Sequence, residues 1–180
     1  MRVSILASAL VSVATLFAHT AIAASEATSR EAQLKAAYIY NFLKFVEWPN
    51  ARPAEPLSVC FLGARDVLDA FAAATADKTV GARRMTPRSV SGRKAAASTP
   101  CDVLYMDASA DTDASFAFGE STLTIGDADD FTRSGGIIRL YMEDNRLRFT
   151  INVEHAKRAR LQISSNLLKL ATQVEQGAGS

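Results

Sequence analysis

Leu57-Ser58-Val59-Cys60-Phe61-Leu62-Gly63, followed by a run from Asp66 to Ala74, decides the fold class. The first six residues are an unbroken apolar stretch with β-branched and aromatic members, closed by glycine, and read as a buried strand. The run after it sets Val67, Leu68 and Phe71 on one side at helical spacing. The alternation then repeats. Thr79 to Val90 reads as a second, weaker strand and Cys101 to Met106 as a third. A short helix near Asp111–Phe118 leads to Thr122-Leu123-Thr124-Ile125 as a fourth. Strand and helix in alternation predict an α/β layered domain with a largely parallel sheet.

Upstream, Leu34, Tyr38, Phe42 and Phe45 recur at helical spacing, with Ile39 and Val46 beside them. They predict a helix from Glu31 to Val46, ended by Trp48-Pro49, with Pro53 and Pro56 marking a linker. Downstream, Ile138, Leu140 and Met142 alternate with Arg139, Tyr141 and Glu143. After Asp144-Asn145, Leu147, Phe149 and Ile151 alternate with Arg146, Arg148 and Thr150. Two alternating runs around residues that tolerate positive φ predict a β-hairpin with one apolar face and one charged, wet face. A helix over Asn152–Arg158 follows. The last helix starts at Ser164 or Ser165, either of which can cap it, and takes Leu167, Leu170, Ala171 and Val174 as its buried stripe; Gly177 to Ser180 frays. The expected architecture is a layered sheet of about five to six strands, mostly parallel with a C-terminal antiparallel hairpin, flanked by helices.

The start of the chain has a different character. Met1-Arg2-Val3 precedes an apolar stretch from Ile5 to Ala18, interrupted only by Ser and Thr, and Ala21-Ile22-Ala23 supplies a small-x-small cleavage pattern. Residues 1–23 therefore read as an export signal, cut after Ala23 or Ala24. Residues 24–30 read as a flexible N-terminus and 31–176 as one domain. Export points to the periplasm. The chain carries 20 Lys and Arg against 19 Asp and Glu, and loss of Arg2 with the signal leaves 19 of each. Zero net charge argues against a nucleic-acid partner.

Two cysteines, Cys60 and Cys101, remain after cleavage. An even count in an oxidising compartment suggests one disulfide, and two free core thiols at strand positions is the rival reading. His155 is the one histidine left once His19 departs, so neither a zinc site nor a histidine triad has material to draw on. In its polar helical setting His155 reads as solvated or locally bonded. No Walker A loop, no G-x-G-x-x-G and no G-x-S-x-G occurs. Asp127, Asp129 and Asp130 lack the spacing and closing Glu of a calcium loop, and Gly135-Gly136 reads as a turn. Catalytic residues, cofactor and metal are thus not expected. Charge is nonetheless segregated: Lys78, Arg83, Arg84, Arg88, Arg93 and Lys94 sit in a stretch without acids, and residues 102–130 carry eight acids without a base.

Several separated segments in order resemble the YfiR family. They are Lys35-Ala36-Ala37-Tyr38-Ile39-Tyr40-Asn41-Phe42-Leu43-Lys44-Phe45-Val46-Glu47-Trp48-Pro49, then Cys101-Asp102-Val103-Leu104-Tyr105-Met106. Next comes Leu123-Thr124-Ile125-Gly126-Asp127 through Phe131 and Gly135-Gly136-Ile137-Ile138. The tail follows from Asn145 to Asn152, and from Leu161-Gln162-Ile163-Ser164-Ser165-Asn166 to Ala171. The resemblance implies a periplasmic domain without catalytic activity that holds a membrane diguanylate cyclase inactive through the cyclase's periplasmic sensor region. It also implies an outer-membrane lipoprotein that draws the repressor away, and a capacity to form homodimers. Members can carry four cysteines in two disulfides; this chain has one pair. The expected contact surface is the hairpin with the Gly135-Gly136 loop, anchored by Ile137, Tyr141 and Phe149. A small-molecule sensor using a crevice at the strand ends and a hydrolase built on His155 are the competing readings.

Overall fold

The computed structural model describes residues 29–49, 55–110 and 120–176. The signal, the linker prolines up to Pro53, the helix expected near Asp111–Phe118 and the C-terminal tail from Gly177 lie outside these. Helix α1 covers residues 29–43. Then follow β1 (Val46–Glu47), β2 (Leu57–Leu62), α2 (Arg65–Thr75), β3 (Thr79–Val80), β4 (Arg83–Val90), α3 (Arg93–Ser98), β5 (Val103–Met106) and β6 (Leu123–Gly126). The chain finishes with β7 (Ile138–Glu143), β8 (Arg146–Asn152), α4 (Val153–Arg158), β9 (Gln162–Ile163), α5 (Ser165–Leu170) and β10 (Gln173–Glu175).

Eight strands form one sheet in the order β10-β8-β7-β6-β5-β2-β4-β3, and β1 pairs with β9 in a separate antiparallel ribbon. The interior from β7 to β4 is parallel throughout. β7 and β8 form the expected antiparallel hairpin, with Leu140 opposite Phe149. Asp144 and Asn145 take φ of 47° and 59° at its turn, the doubly positive geometry that matches strand twist.

Six long strands match the expected five to six, and the additional strands are two- and three-residue pieces. The expected strand at Thr79–Val90 is broken at Gly81, whose φ of +58° turns β3 back on β4. The expected first helix ends three residues early, and Val46 enters β1 opposite Ile163. Its buried side is Ala32, Ala36, Ile39 and Phe42, whereas Leu34 is exposed. The last helix stops at Leu170. Leu170 lies 66 % exposed and Val174 belongs to the edge strand β10, so Leu167 alone of the expected stripe is buried.

Alternation along the strands builds two cores. One face gathers Leu57, Val59, Phe61, Val103, Tyr105, Leu123, Ile125, Ile138, Leu140, Phe149 and Ile151 against α1 and α2. Tyr38, Phe42 and Phe149 meet as an aromatic group, with the Phe42 and Phe149 centroids 4.9 Å apart. The other face holds a smaller core of Cys60, Leu62, Val90, Ala96, Leu104, Met106 and Phe131. The charged face of the hairpin is open at its tip, at Glu143 and Arg146, and closes toward Thr150 and Asn152, which are buried.

Candidate functional site

Cys60 and Cys101 are joined by a disulfide. Cys60 projects from β2 into the smaller core and is fully buried. The bond therefore ties the middle of the sheet to the segment that enters β5. Closing a loop of sequence separation 41 stabilises the fold by about 4 kcal/mol in the chain-entropy account.

The five residues expected to meet a partner separate into two groups. Gly135 and Gly136 turn the chain into β7, Gly135 with φ of +108°. A Cβ on Gly136 would lie 2.2 Å from the Phe131 ring, and one on Gly126 2.5 Å from it, so both glycines make room for that ring. Tyr141 is half-buried on the outer face of the hairpin, with the Arg139 guanidinium 4.8 Å over its ring and Arg139 paired in turn with Asp129. Ile137 and Phe149 belong to the core, 2 % and 6 % exposed. They face inward because they share the apolar side of the hairpin, and they present no side chain to a partner in this conformation.

His155 is locally bonded. Its Nδ1 donates to the Gly136 carbonyl at 2.9 Å, and its backbone N–H donates to the Asn152 side chain that caps α4, at 3.1 Å. It thereby pins α4 to the glycine turn and has no nucleophile beside it.

A polar cluster invisible to sequence reading sits at the carboxyl ends of β5 and β6. Asp127 follows β6 immediately. One of its carboxylate oxygens accepts from Lys35 Nζ at 2.6 Å and from the Tyr105 hydroxyl at 2.8 Å, and the other accepts from the Ala108 N–H at 2.5 Å. Glu31 holds Lys35 from the preceding turn of α1 at 2.8 Å. Burial, reinforced by the Asp127 charge, pushes the Tyr105 phenol far above its ordinary value, so it stays a neutral donor. For Lys35, burial works to lower the pKa, but hydrogen bonds to Asp127 and Glu31 outweigh it and the net shift is upward. Each member stabilises the form its neighbours need, and the cluster locks α1 to the sheet.

The amino ends of the strands carry a second polar group. Asp102 takes Arg83 Nη2 at 3.2 Å and the Ser58 N–H at 2.7 Å. Arg83 also donates from Nε to the Glu55 carbonyl and from Nη2 to the Pro56 carbonyl. A cavity of about 600 Å³ opens beside them. Among the described residues no set of three or more His, Cys, Asp or Glu could hold a metal ion, and no helix is long and apolar enough to cross a membrane.

Fold and site together define a disulfide-stapled α/β domain whose central strands run parallel. The chain belongs to the YfiR/HmsC-like family, whose sequence model matches residues 32–172. No curated protein matches it significantly.

Proposed function

We propose that this protein is a periplasmic regulator that represses an inner-membrane diguanylate cyclase by binding the cyclase's periplasmic sensor region, lowering cyclic-di-GMP. The family match across 32–172, nearly the whole described chain, carries this reading. The protein acts by population shift: it binds the inactive form of the sensor more tightly than the active form. An outer-membrane lipoprotein that competes for the same surface relieves repression, and a homodimer is the assembly that the family suggests.

The contact surface is the outer face of the hairpin with the Gly135-Gly136 turn. Tyr141, stacked under Arg139, is its aromatic anchor, and aromatic and arginine side chains dominate such hot spots. Ile137 and Phe149 hold that surface in shape from beneath. Disruption of the gene is expected to raise cyclic-di-GMP, and the tagged protein is expected to recover a cyclase from detergent-solubilised membranes. Tyr141→Ala is expected to weaken that recovery with the fold intact. Unchanged cyclic-di-GMP together with no cyclase in the pull-down would sink the proposal.

A further inference from the structure

The cavity at the amino ends of β2, β5 and β6 is not absorbed by the cyclase reading and stands independently of it. We propose that it is a binding site for a small organic carboxylate with an apolar body, held by Arg88 and by Nη1 of Arg83. Three observations carry this.

The first is an orphaned donor. Arg83 lines the cavity and spends Nε and Nη2 on Glu55, Pro56 and Asp102, yet its Nη1 is buried without a partner. A buried guanidinium nitrogen left unpaired is costly and calls for an acceptor. The second is a spare cation. Arg88 lies across from Cys60 in the β2–β4 register, so it projects on the disulfide side of the sheet and lines the same cavity. Among the described residues it has no carboxylate partner. The carboxylates nearby are committed: Asp102 to Arg83 and the Ser58 N–H, Glu120 to Arg160 at 3.0 Å, and Glu55 is engaged as well.

The third is shape and lining. About 600 Å³ lies within the range of small-molecule sites. Beyond the arginines the walls include Leu104, Ala97 and Pro56, with Thr122 on the rim. Two guanidinium groups match a carboxylate, whose flat fork they bind with paired hydrogen bonds. The apolar walls suit an aromatic or branched aliphatic body and disfavour a bare inorganic anion.

The test is an amide-resolved NMR titration of the disulfide-bonded protein with benzoate, benzamide and inorganic phosphate. Benzoate is expected to shift the amides of Arg88, Cys101 and Thr122 saturably. Neutral benzamide and phosphate are expected to bind at least about tenfold more weakly, and Arg88→Gln to weaken benzoate by about tenfold, the scale of one charge-assisted pair. Arg84→Gln, on the same strand, is expected to leave benzoate binding within about twofold. The proposal is overturned by the absence of a saturable benzoate shift, by benzamide or phosphate binding as tightly, or by undiminished binding in Arg88→Gln. A water alone on Arg83 Nη1 would give the first of these results.

Discussion

The two ends of the parallel strands use charge in opposite ways. At the carboxyl ends, Lys35, Tyr105 and Asp127 close on one another, and the Asp127 side chain is only 10 % exposed. At the amino ends, Arg83 keeps an unpaired nitrogen, Arg88 keeps its charge, and a cavity lies between them. Parallel sheets more often carry ligands at the carboxyl ends. Here that end is occupied by a bolt from α1, and the available polar groups are at the other. The acids that look like a single-sign stretch in sequence are largely spent inside the molecule: Asp102 on Arg83, Asp127 on Lys35, Asp129 on Arg139, Glu120 on Arg160. Arg84 and Arg88 lie on β4, whose outer edge is paired only at Arg83 and Arg84. The segregated charge is therefore a set of internal ties on the acidic side and an open surface on the basic side.

Removing the bolt is expected to have the largest effect. Asp127→Ala strands Lys35, Tyr105 and the Ala108 N–H at once, and breaking a buried pair from one side costs about 3–5 kcal/mol. Chemical denaturation with an unchanged slope is the measurement. A loss under about 1 kcal/mol would mean that the closed end is no more closed than the open one.

The disulfide comes next, because it braces the open end. The Cys60→Ser, Cys101→Ser double variant is expected to lose about 3 kcal/mol, a little under the loop-entropy figure, since small polar hydroxyls replace a buried bond. Loss of benzoate binding in the same variant, while the fold persists, would show that the brace also shapes the cavity.

The Lys35 contribution should appear in alkaline denaturation. Its folded pKa is raised above the ordinary 10.5, so its stabilisation is complete below that value and disappears as pH climbs through the raised one. Lys35→Met is expected to flatten this loss of stability above pH 10.5 without altering stability curves on the acid side. An unaltered alkaline limb would remove Lys35 from the closed end.

Much of this fold is legible in the chain because its main strands are long enough to show a period. Leu57–Leu62, Val103–Met106 and the hairpin each declare themselves. The pieces β1, β3, β9 and β10 have two or three residues and exist only because a neighbouring strand is already in place. The buried side of α1 was displaced toward larger residues: Ala32 and Ala36 fill it because β-strands approach closely there, while Leu34 turns outward. The sites were harder. Ile137 and Phe149 attract attention as apolar residues beside a turn, and their position on the inward side of the hairpin makes them core. Lys35 and Asp127 stand 92 residues apart, and only the sheet order brings α1 over the end of β6. One signal was available: an aspartate directly after a buried strand, where the carboxyl ends converge.

The smallest expected effect is also the sharpest test of the open end. Arg88 is exposed along an edge strand and makes no ion pair among the described residues. Arg88→Gln should therefore change stability by no more than about 0.5 kcal/mol, as surface substitutions away from any partner do. Arg83, by contrast, is only 12 % exposed and holds three acceptors, so Arg83→Gln should cost more, about 1–3 kcal/mol. Measured side by side in the free protein, the pair separates a cation kept for structure from one kept available. Equal losses would show that Arg88, too, is spent internally, and the two ends of the sheet would no longer differ in kind.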